Sequence, residues 1–388
     1  MSRFGRRDFL VKTGAAAIGT GGALAAYRWA RTRTAVLPSE AVAKESAGAA
    51  QFEREAMYYK KLAEGRVECE LCPRVCTVAP KERGYCGVRE NMDGIYKTLV
   101  YGRACSAHVD PIEKKPLFHV LPGAKALSIA TAGCNIECKF CQNWEISQFR
   151  PEQVRSMHLP PEQLVEHAKQ ERIESIAFTY TEPVVFYEYM FDTARLAKEQ
   201  GVKSVMISNG YIKEEPMTAL CEHLSAVKID LKAFTEKFYV ETCSGKLQPV
   251  LDTLRLLSKK KMWCEIVVLL VPGLNDSEDE ITRMCKWIHD DLGPDVPIHF
   301  SRFYPTYKVK NLPPTPISTL TRAWKIATDA GLNFAYVGNV PGHEGESTYC
   351  PACKKTVVRR IGYRITQVGI RDGNCVSCGR PIPGIWNT

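Results

Sequence analysis

From Ala126 to about residue 340 the sequence alternates short apolar, β-branched runs with longer segments of helical character, seven times over. Runs that are apolar on both faces belong to parallel strands covered by crossover helices. The pattern predicts strands at 126–132, 175–180, 204–208, 226–231, 264–271, 297–303 and 333–338. Helices are predicted over 161–171, 184–200, 214–224, 234–242, 249–260, 277–291 and 318–330. Gly201, Gly273 and Gly331 fall where helices end or loops turn, as caps and tight connections require. The fold class is therefore α/β, a partial or complete parallel (β/α) barrel, with its chemistry at the C-terminal ends of the strands.

Cysteine usage narrows that chemistry. Of sixteen cysteines, eleven form three tight groups: Cys69, Cys72, Cys76 and Cys86; Cys134, Cys138 and Cys141; Cys350, Cys353, Cys375 and Cys378. A secreted disulfide framework is the competing reading, but such frameworks serve short domains that lack a core. A chain of 388 residues can bury one, and these groups have metal-ligand spacing. The solitary Cys105, Cys221, Cys243, Cys264 and Cys285 read as small buried apolar residues.

The middle group follows the first barrel strand directly, in a loop opened by Gly133. Three thiolates spaced x3 then x2 can wrap three corners of a 4Fe-4S cube. Gln142, Asn143 and Trp144 add no fourth cysteine, so one iron stays open. Zinc on three structural thiols, or three unrelated buried cysteines, are the plainer alternatives.

The spacing Cys134-x3-Cys138-x2-Cys141 after a first barrel strand resembles the radical S-adenosylmethionine (SAM) superfamily. The resemblance implies that the open iron chelates the amino and carboxylate groups of SAM. An electron delivered there breaks a carbon–sulfur bond and yields a 5′-deoxyadenosyl radical, with Cys134, Cys138 and Cys141 as the catalytic cluster ligands. Further segments are similar to those that bind SAM. Thr179-Tyr180-Thr181-Glu182-Pro183 resembles a Gly-Gly-Glu-Pro segment with both glycines replaced and Glu182 retained. Ser208-Asn209-Gly210 ends the third strand and Asp230-Leu231-Lys232 the fourth. By resemblance to glycyl-radical activating enzymes, Lys232 and Asp230 approach the SAM carboxylate and ribose, and Phe140 the adenine. The cofactor-binding candidates are thus Phe140, Gln142, Thr181, Glu182, Asn209, Asp230 and Lys232. An Asp or Lys at one strand end is ordinarily solvated; their placement at successive strand ends favours function. The loop from Val271 to Asp276 is similar too, and His299, Ser301 and Arg302 could reach the pocket, although a satisfied core or surface histidine is the simpler reading of His299.

Cys350-x2-Cys353 and Cys375-x2-Cys378, joined by a hairpin through Val357 to Ile370, match a zinc ribbon holding a small appendage together. Rubredoxin-like iron or an auxiliary cluster are the alternatives. Cys69, Cys72, Cys76 and Cys86 could hold zinc or a closed electron-relaying cluster, with zinc slightly favoured.

Taken together, Glu70 to Cys76, Asp110 to Leu117, Cys141 to Ser147, Thr179 to Pro183 and the terminal Cys-rich ribbon resemble the AmmeMemoRadiSam system radical SAM enzymes, over about residues 60–388. That group is similar to the pyruvate formate-lyase activating enzymes, a relation that transfers no substrate. Three functions follow: hydrogen abstraction from an unidentified small-molecule or protein substrate, with a low-potential electron donor as partner; activation of a glycyl-radical enzyme; or a non-enzymatic iron–sulfur electron carrier. Asp110 to Leu117 reads as a linker.

Arg6-Arg7-Asp8-Phe9-Leu10 and the apolar stretch Gly14 to Ala26 resemble a twin-arginine export leader. The stretch is shorter than the about 20 apolar residues of a stable membrane span. Export to the periplasm is the expectation and a cytoplasmic protein the alternative. Of the formal charge of +9, residues 1–50 contribute eight Lys/Arg against three Asp/Glu, so no nucleic-acid partner is implied. The expected organisation is a leader at 1–26, a linker at 27–50, and an N-terminal segment at 51–125 with a short helix over 51–64. In that segment Tyr96 to Cys105 alternates as β structure. The barrel at 126–340 and the four-cysteine, zinc-ribbon-like appendage at 341–388 follow.

Overall fold

In the computed structural model, which describes residues 48–386, the seven expected strands pair in parallel through one sheet. The leader and residues 27–47 of the expected linker lie outside the described residues. An eighth strand, β1 (Ser106–Pro111), comes from ahead of the expected barrel and pairs antiparallel with β2 (Lys125–Ala130). The sheet continues through β3 (Ser175–Phe178), β4 (Lys203–Ser208), β5 (Ala226–Asp230), β6 (Trp263–Leu270), β7 (Ile298–Arg302) and β8 (Ala335–Gly338). Order and chain direction coincide, and β1 and β8 are its two edges, so the barrel is partial.

Period-two alternation divides each strand between two cores. Leu127, Ile129, Ile176, Phe178, Val227, Ile229, Val268 and Phe300 pack on the helical side. There they meet α1 (Pro161–Gln170) through Leu164 and Ala168, α2 (Tyr187–Glu199) through Met190 and Ala194, and α5 (Gln248–Lys259) through Leu254 and Leu257. Between α2 and α5 run α3 (Glu214–Cys221) and α4 (Glu236–Cys243); α6 (Glu278–Trp287) and α7 (Ile317–Asp329) complete the set. Each such side chain, fully buried, stabilises the fold by roughly 1.5–3 kcal/mol.

The other face encloses Ala126, Ala177, Val205, Ile207 and Ala226. Small residues here leave room, and Ile112, Leu117, Val120 and Leu121 fill it. The segment read as a linker is therefore a plug. Because β1 runs against β2, with Pro111 beside Lys125, the chain turns inward at the N-terminal end of the parallel strands and closes that end. Its charged residues did not mark it as exposed chain; Asp110, Glu113 and Lys115 are all buried.

The C-terminal hairpin, strands Thr356–Ile361 and Arg364–Val368, packs on this plug. Buried Arg360 donates to the Phe118 carbonyl (2.6 Å) and to Thr348 Oγ1 (2.7 Å). Tyr336 Oη lies 2.9 Å from Thr348 Oγ1 and 2.6 Å from His119 Nε2, while His119 Nδ1 lies 2.6 Å from the Pro383 carbonyl. A carbonyl only accepts, so Nδ1 carries the proton and Nε2 accepts from Tyr336. Burial favours the neutral imidazole, which this arrangement accommodates.

The short helix expected over 51–64 is absent. Single 3-10 turns at Ala49–Phe52 and Ala63–Gly65 flank strands Arg54–Glu55 and Tyr59–Lys61. Tyr59–Lys61 pairs antiparallel with Val67–Cys69, and Lys60 meets Glu68 at 2.6 Å. Pairing with a cysteine-bearing strand outweighs local helix propensity, which is worth only tenths of a kcal/mol per residue. Tyr96 to Cys105 forms strands Ile95–Thr98 and Arg103–Ala104, in line with its alternation. No helix among the described residues is long and apolar enough to cross a membrane.

Burial drives the His119 pKa down to about 4, so the unfolded chain takes up a proton near pH 6.5 that the folded chain refuses. Stability should be intact above pH 6.5 and fall as pH drops from 6.5 towards 4, by on the order of 2–3 kcal/mol. Urea unfolding at stepped pH, beside a His119→Phe variant, checks this: the variant should have a flatter profile in that window.

Candidate functional site

Because the strands are parallel, the segments after β2, β3, β4, β5 and β6 gather at the end opposite the plug. The loop after β2 begins at Gly133, whose φ is +99° and whose missing side chain is essential. A Cβ there would stand 2.6 Å from Val88 Cγ1 and 3.0 Å from the Cys86 carbonyl. The loop then lies against α4, with Glu137 N donating to the Cys243 carbonyl and Lys139 N to the Thr242 carbonyl, both at 2.9 Å. Arg74 holds it from the N-terminal segment, its Nε donating to the Asn135 carbonyl (2.6 Å) and its second nitrogen to the Ser244 carbonyl.

Cys138 is buried and Cys134 and Cys141 are half-buried. Among the described residues, the group whose potential ligand atoms all lie within 4.8 Å of one another is Cys350, Cys353, Cys375 and Cys378. The Cys134 loop is not so gathered. Thiols not drawn to one centre lack the arrangement of a single tetrahedral zinc ion.

Successive strand ends surround these sulfurs. Glu182 after β3 is buried, and its carboxylate accepts from Ser208 Oγ (2.7 Å), Asn209 N (2.8 Å) and Val184 N (3.1 Å). Burial outweighs these bonds and pushes Glu182 up to about 7. The Asn209 amide donates to Asn135 Oδ1 at 2.9 Å and lies 3.9 Å from Cys134 Sγ. Asp230 contacts both Lys228 and Lys232, the latter at 3.2 Å. Burial opposes its charge, but the two lysines hold it down at about 2. Lys232 Nζ sits 5.9 Å over the Phe140 ring, which is buried against Phe238. Gln142 is exposed, and Thr181 donates its hydroxyl to the Thr131 carbonyl (2.8 Å). His299 lies deeper, bonded to Glu265 at 2.7 Å within the plugged core, where the plainer reading put it.

The segment that lacks its two glycines keeps the backbone of one. Tyr180 has φ +66°, in the left-handed region, at a cost of roughly 1–2 kcal/mol for a residue with a side chain. Its hydroxyl donates to Asp110, Lys115 Nζ lies 4.4 Å over its ring, and its carbonyl accepts from Asn143 Nδ2 (2.6 Å). Asp110 also takes Lys114 and Lys115 at 2.7 Å each.

Cys243, read from the sequence as a small buried apolar residue, is buried. It is the last residue of α4 beside the loop, and its interaction with Cys138 holds that sulfur below the usual thiol range against the effect of burial. A lone cysteine with no motif around it carried no signal.

The radical SAM superfamily profile matches residues 128–285. An uncharacterized protein of Methanocaldococcus jannaschii is 45% identical over 331 residues, 85% of this chain and 98% of that protein. A protein of that organism named a putative glycyl-radical enzyme activating enzyme is 25% identical over 42% of this chain and 62% of its own length. The pyruvate formate-lyase 1-activating enzyme of Escherichia coli K12 is 22% identical over 41% of this chain and 66% of its own. Among solved structures, a radical SAM methyltransferase from Sphaerobacter thermophilus aligns with a TM-score of 0.47 at 15% identity, over 61% of this chain and 71% of that one.

Replacing Gly133 by Ala should destabilise the protein by about 2–4 kcal/mol, from the left-handed φ and the overpacking against Val88 together. Thermal unfolding measures it. Adding Val88→Ala should recover only the packing part, leaving the backbone part in place.

Proposed function

The chain belongs to the radical SAM superfamily and is an enzyme of it, and from that premise we propose that Cys134, Cys138 and Cys141 hold three corners of a 4Fe-4S cluster whose fourth iron takes SAM. The cluster and SAM together supply a one-electron reductive cleavage of the sulfonium, fed by a low-potential donor, and thereby initiate hydrogen abstraction from a substrate. The observation that carries the reading is the convergence of Glu182, Asn209 and Lys232, from three successive strand ends, around a loop of three thiols.

The protein's own part is orientation and charge balance. Glu182, buried and held near 7, is placed to accept a cationic amino group, which would restore its ionised form. Lys232, kept charged by Asp230 and the nearby thiols despite burial, offers its ammonium to a carboxylate. Asn209 aims its amide at Cys134, stabilising a thiolate there. Phe140 and Phe238 form an apolar wall that excludes water on that side. Cys243, at the end of α4, would support Cys138 as a ligand.

Anaerobically reconstituted, reduced enzyme should convert SAM to 5′-deoxyadenosine, and Cys138→Ala should abolish this at least a hundredfold. Cys243→Ala should retain both cluster and cleavage. A wild-type enzyme with verified cluster and no product would leave an electron carrier and defeat the proposal.

Activation of a glycyl-radical enzyme is the narrower reading, supported by the names of two relatives. It requires a glycyl radical signal on an added partner protein. For the appendage we read structural zinc, because Cys350 and Cys378 sulfurs stand 3.6 Å apart and Cys353 and Cys375 3.8 Å, near the roughly 3.8 Å of a tetrahedral zinc with 2.3 Å bonds. Cys353→Ser should lose one zinc per chain and lower the unfolding temperature; elemental analysis and calorimetry check both.

A further inference from the structure

The four N-terminal cysteines are arranged unlike those of the ribbon. Cys69 ends the strand Val67–Cys69, Cys72 and Cys76 lie on the turns that follow, and Cys86 precedes the strand Arg89–Met92. All four line one cavity, walled also by Tyr96 and Val184 and by the polar Arg89 and Asn135. Zinc draws four sulfurs to one centre, as the ribbon cysteines already stand within 4.8 Å of one another. Among the described residues the N-terminal four do not meet that distance. Sulfurs spread around a shared cavity are what a cube needs, each binding its own iron.

Arg89 provides the second observation. Its side chain is 1% exposed, its Nη1 donates to the Met57 carbonyl (3.1 Å) and lies 3.8 Å from Cys69 Sγ, and its Nη2 pairs with Glu188. Its Nε has no hydrogen-bond partner among the described residues. A buried N–H left unpaired costs roughly 1–3 kcal/mol. Four zinc thiolates bring no acceptor beyond those already lining the cavity, whereas the inorganic sulfides of a cluster do.

The cavity also backs onto the reactive loop. Asn135, one residue after Cys134, forms part of its wall, and Arg74, between Cys72 and Cys76, donates to the Asn135 carbonyl at 2.6 Å. We propose that Cys69, Cys72, Cys76 and Cys86 hold a second 4Fe-4S cluster, closed at all four corners and packed against the Cys134–Cys141 loop. With no open iron it binds no SAM, and its chemistry is confined to accepting and releasing an electron.

The test uses the full chain with Cys134→Ser, Cys138→Ser and Cys141→Ser combined, reconstituted anaerobically with iron and sulfide. About four irons and four sulfides per chain should remain, with a 4Fe-4S electron paramagnetic resonance signal after dithionite reduction. A folded triple variant with zinc in place of iron and sulfide overturns the proposal. Should circular dichroism show that variant unfolded, the reciprocal Cys69→Ser/Cys86→Ser protein decides. Its iron should fall by about four atoms per chain from the wild type; iron equal to the wild-type content overturns the proposal. Failure of the SAM reading is separately visible, as wild-type protein that loads iron and leaves SAM intact.

Discussion

A loop of nine residues, Gly133 to Cys141, carries three thiols with little hydrogen-bonded structure of its own, and the protein grips it from three directions. The N-terminal segment presses Val88 and the Cys86 carbonyl onto Gly133 and ties Asn135 through Arg74. Helix α4 supplies the Thr242 and Cys243 carbonyls from its last turn, where a helix has acceptors to spare. The barrel contributes Asn209, itself braced by Glu182. Loss of any one grip would free the loop to relax.

The same loop explains why the cysteine-rich segment precedes the barrel instead of hanging from it. Its strands pack their buried residues, Val67, Val78, Val88 and Tyr96, into the core that also contains Ile136 and Phe140. Buried Arg89 meets buried Glu188 on α2, an ion pair that joins this segment to the helical layer. Breaking such a pair from one side is strongly destabilising, by roughly 3–5 kcal/mol, because it strands a buried charge.

At the other end, the plug shapes what the barrel interior can accept. Apolar Leu117 and Val120 fill the base, while Lys115 lies over the Tyr180 ring and pairs with Asp110, and Lys228 pairs with Asp230. These charges are paired within the protein, Lys115 with Asp110 and Lys228 with Asp230, so they remain ionised without water. The ribbon secures the plug through Arg360, which donates to the Phe118 carbonyl, and through His119, which meets the Pro383 carbonyl.

The strands and helices of the barrel could be read from the sequence because their apolar periodicity is local, and the three-cysteine spacing could be read because it lies within one loop. Glu182, Asn209 and Lys232 were legible as successive strand ends, since parallel topology alone brings those ends together. What only the tertiary structure decided depends on partners distant in the chain. Residues 110–117 look like linker and become part of a plug because Lys115 neutralises Asp110, and Tyr180, 70 positions away, donates to it. Residues 51–64 look helical and become strands because Val67–Cys69 offers an edge to pair with. Cys243, silent in the sequence, gains its role from lying against Cys138, a contact set by where α4 ends and not by any spacing the chain displays.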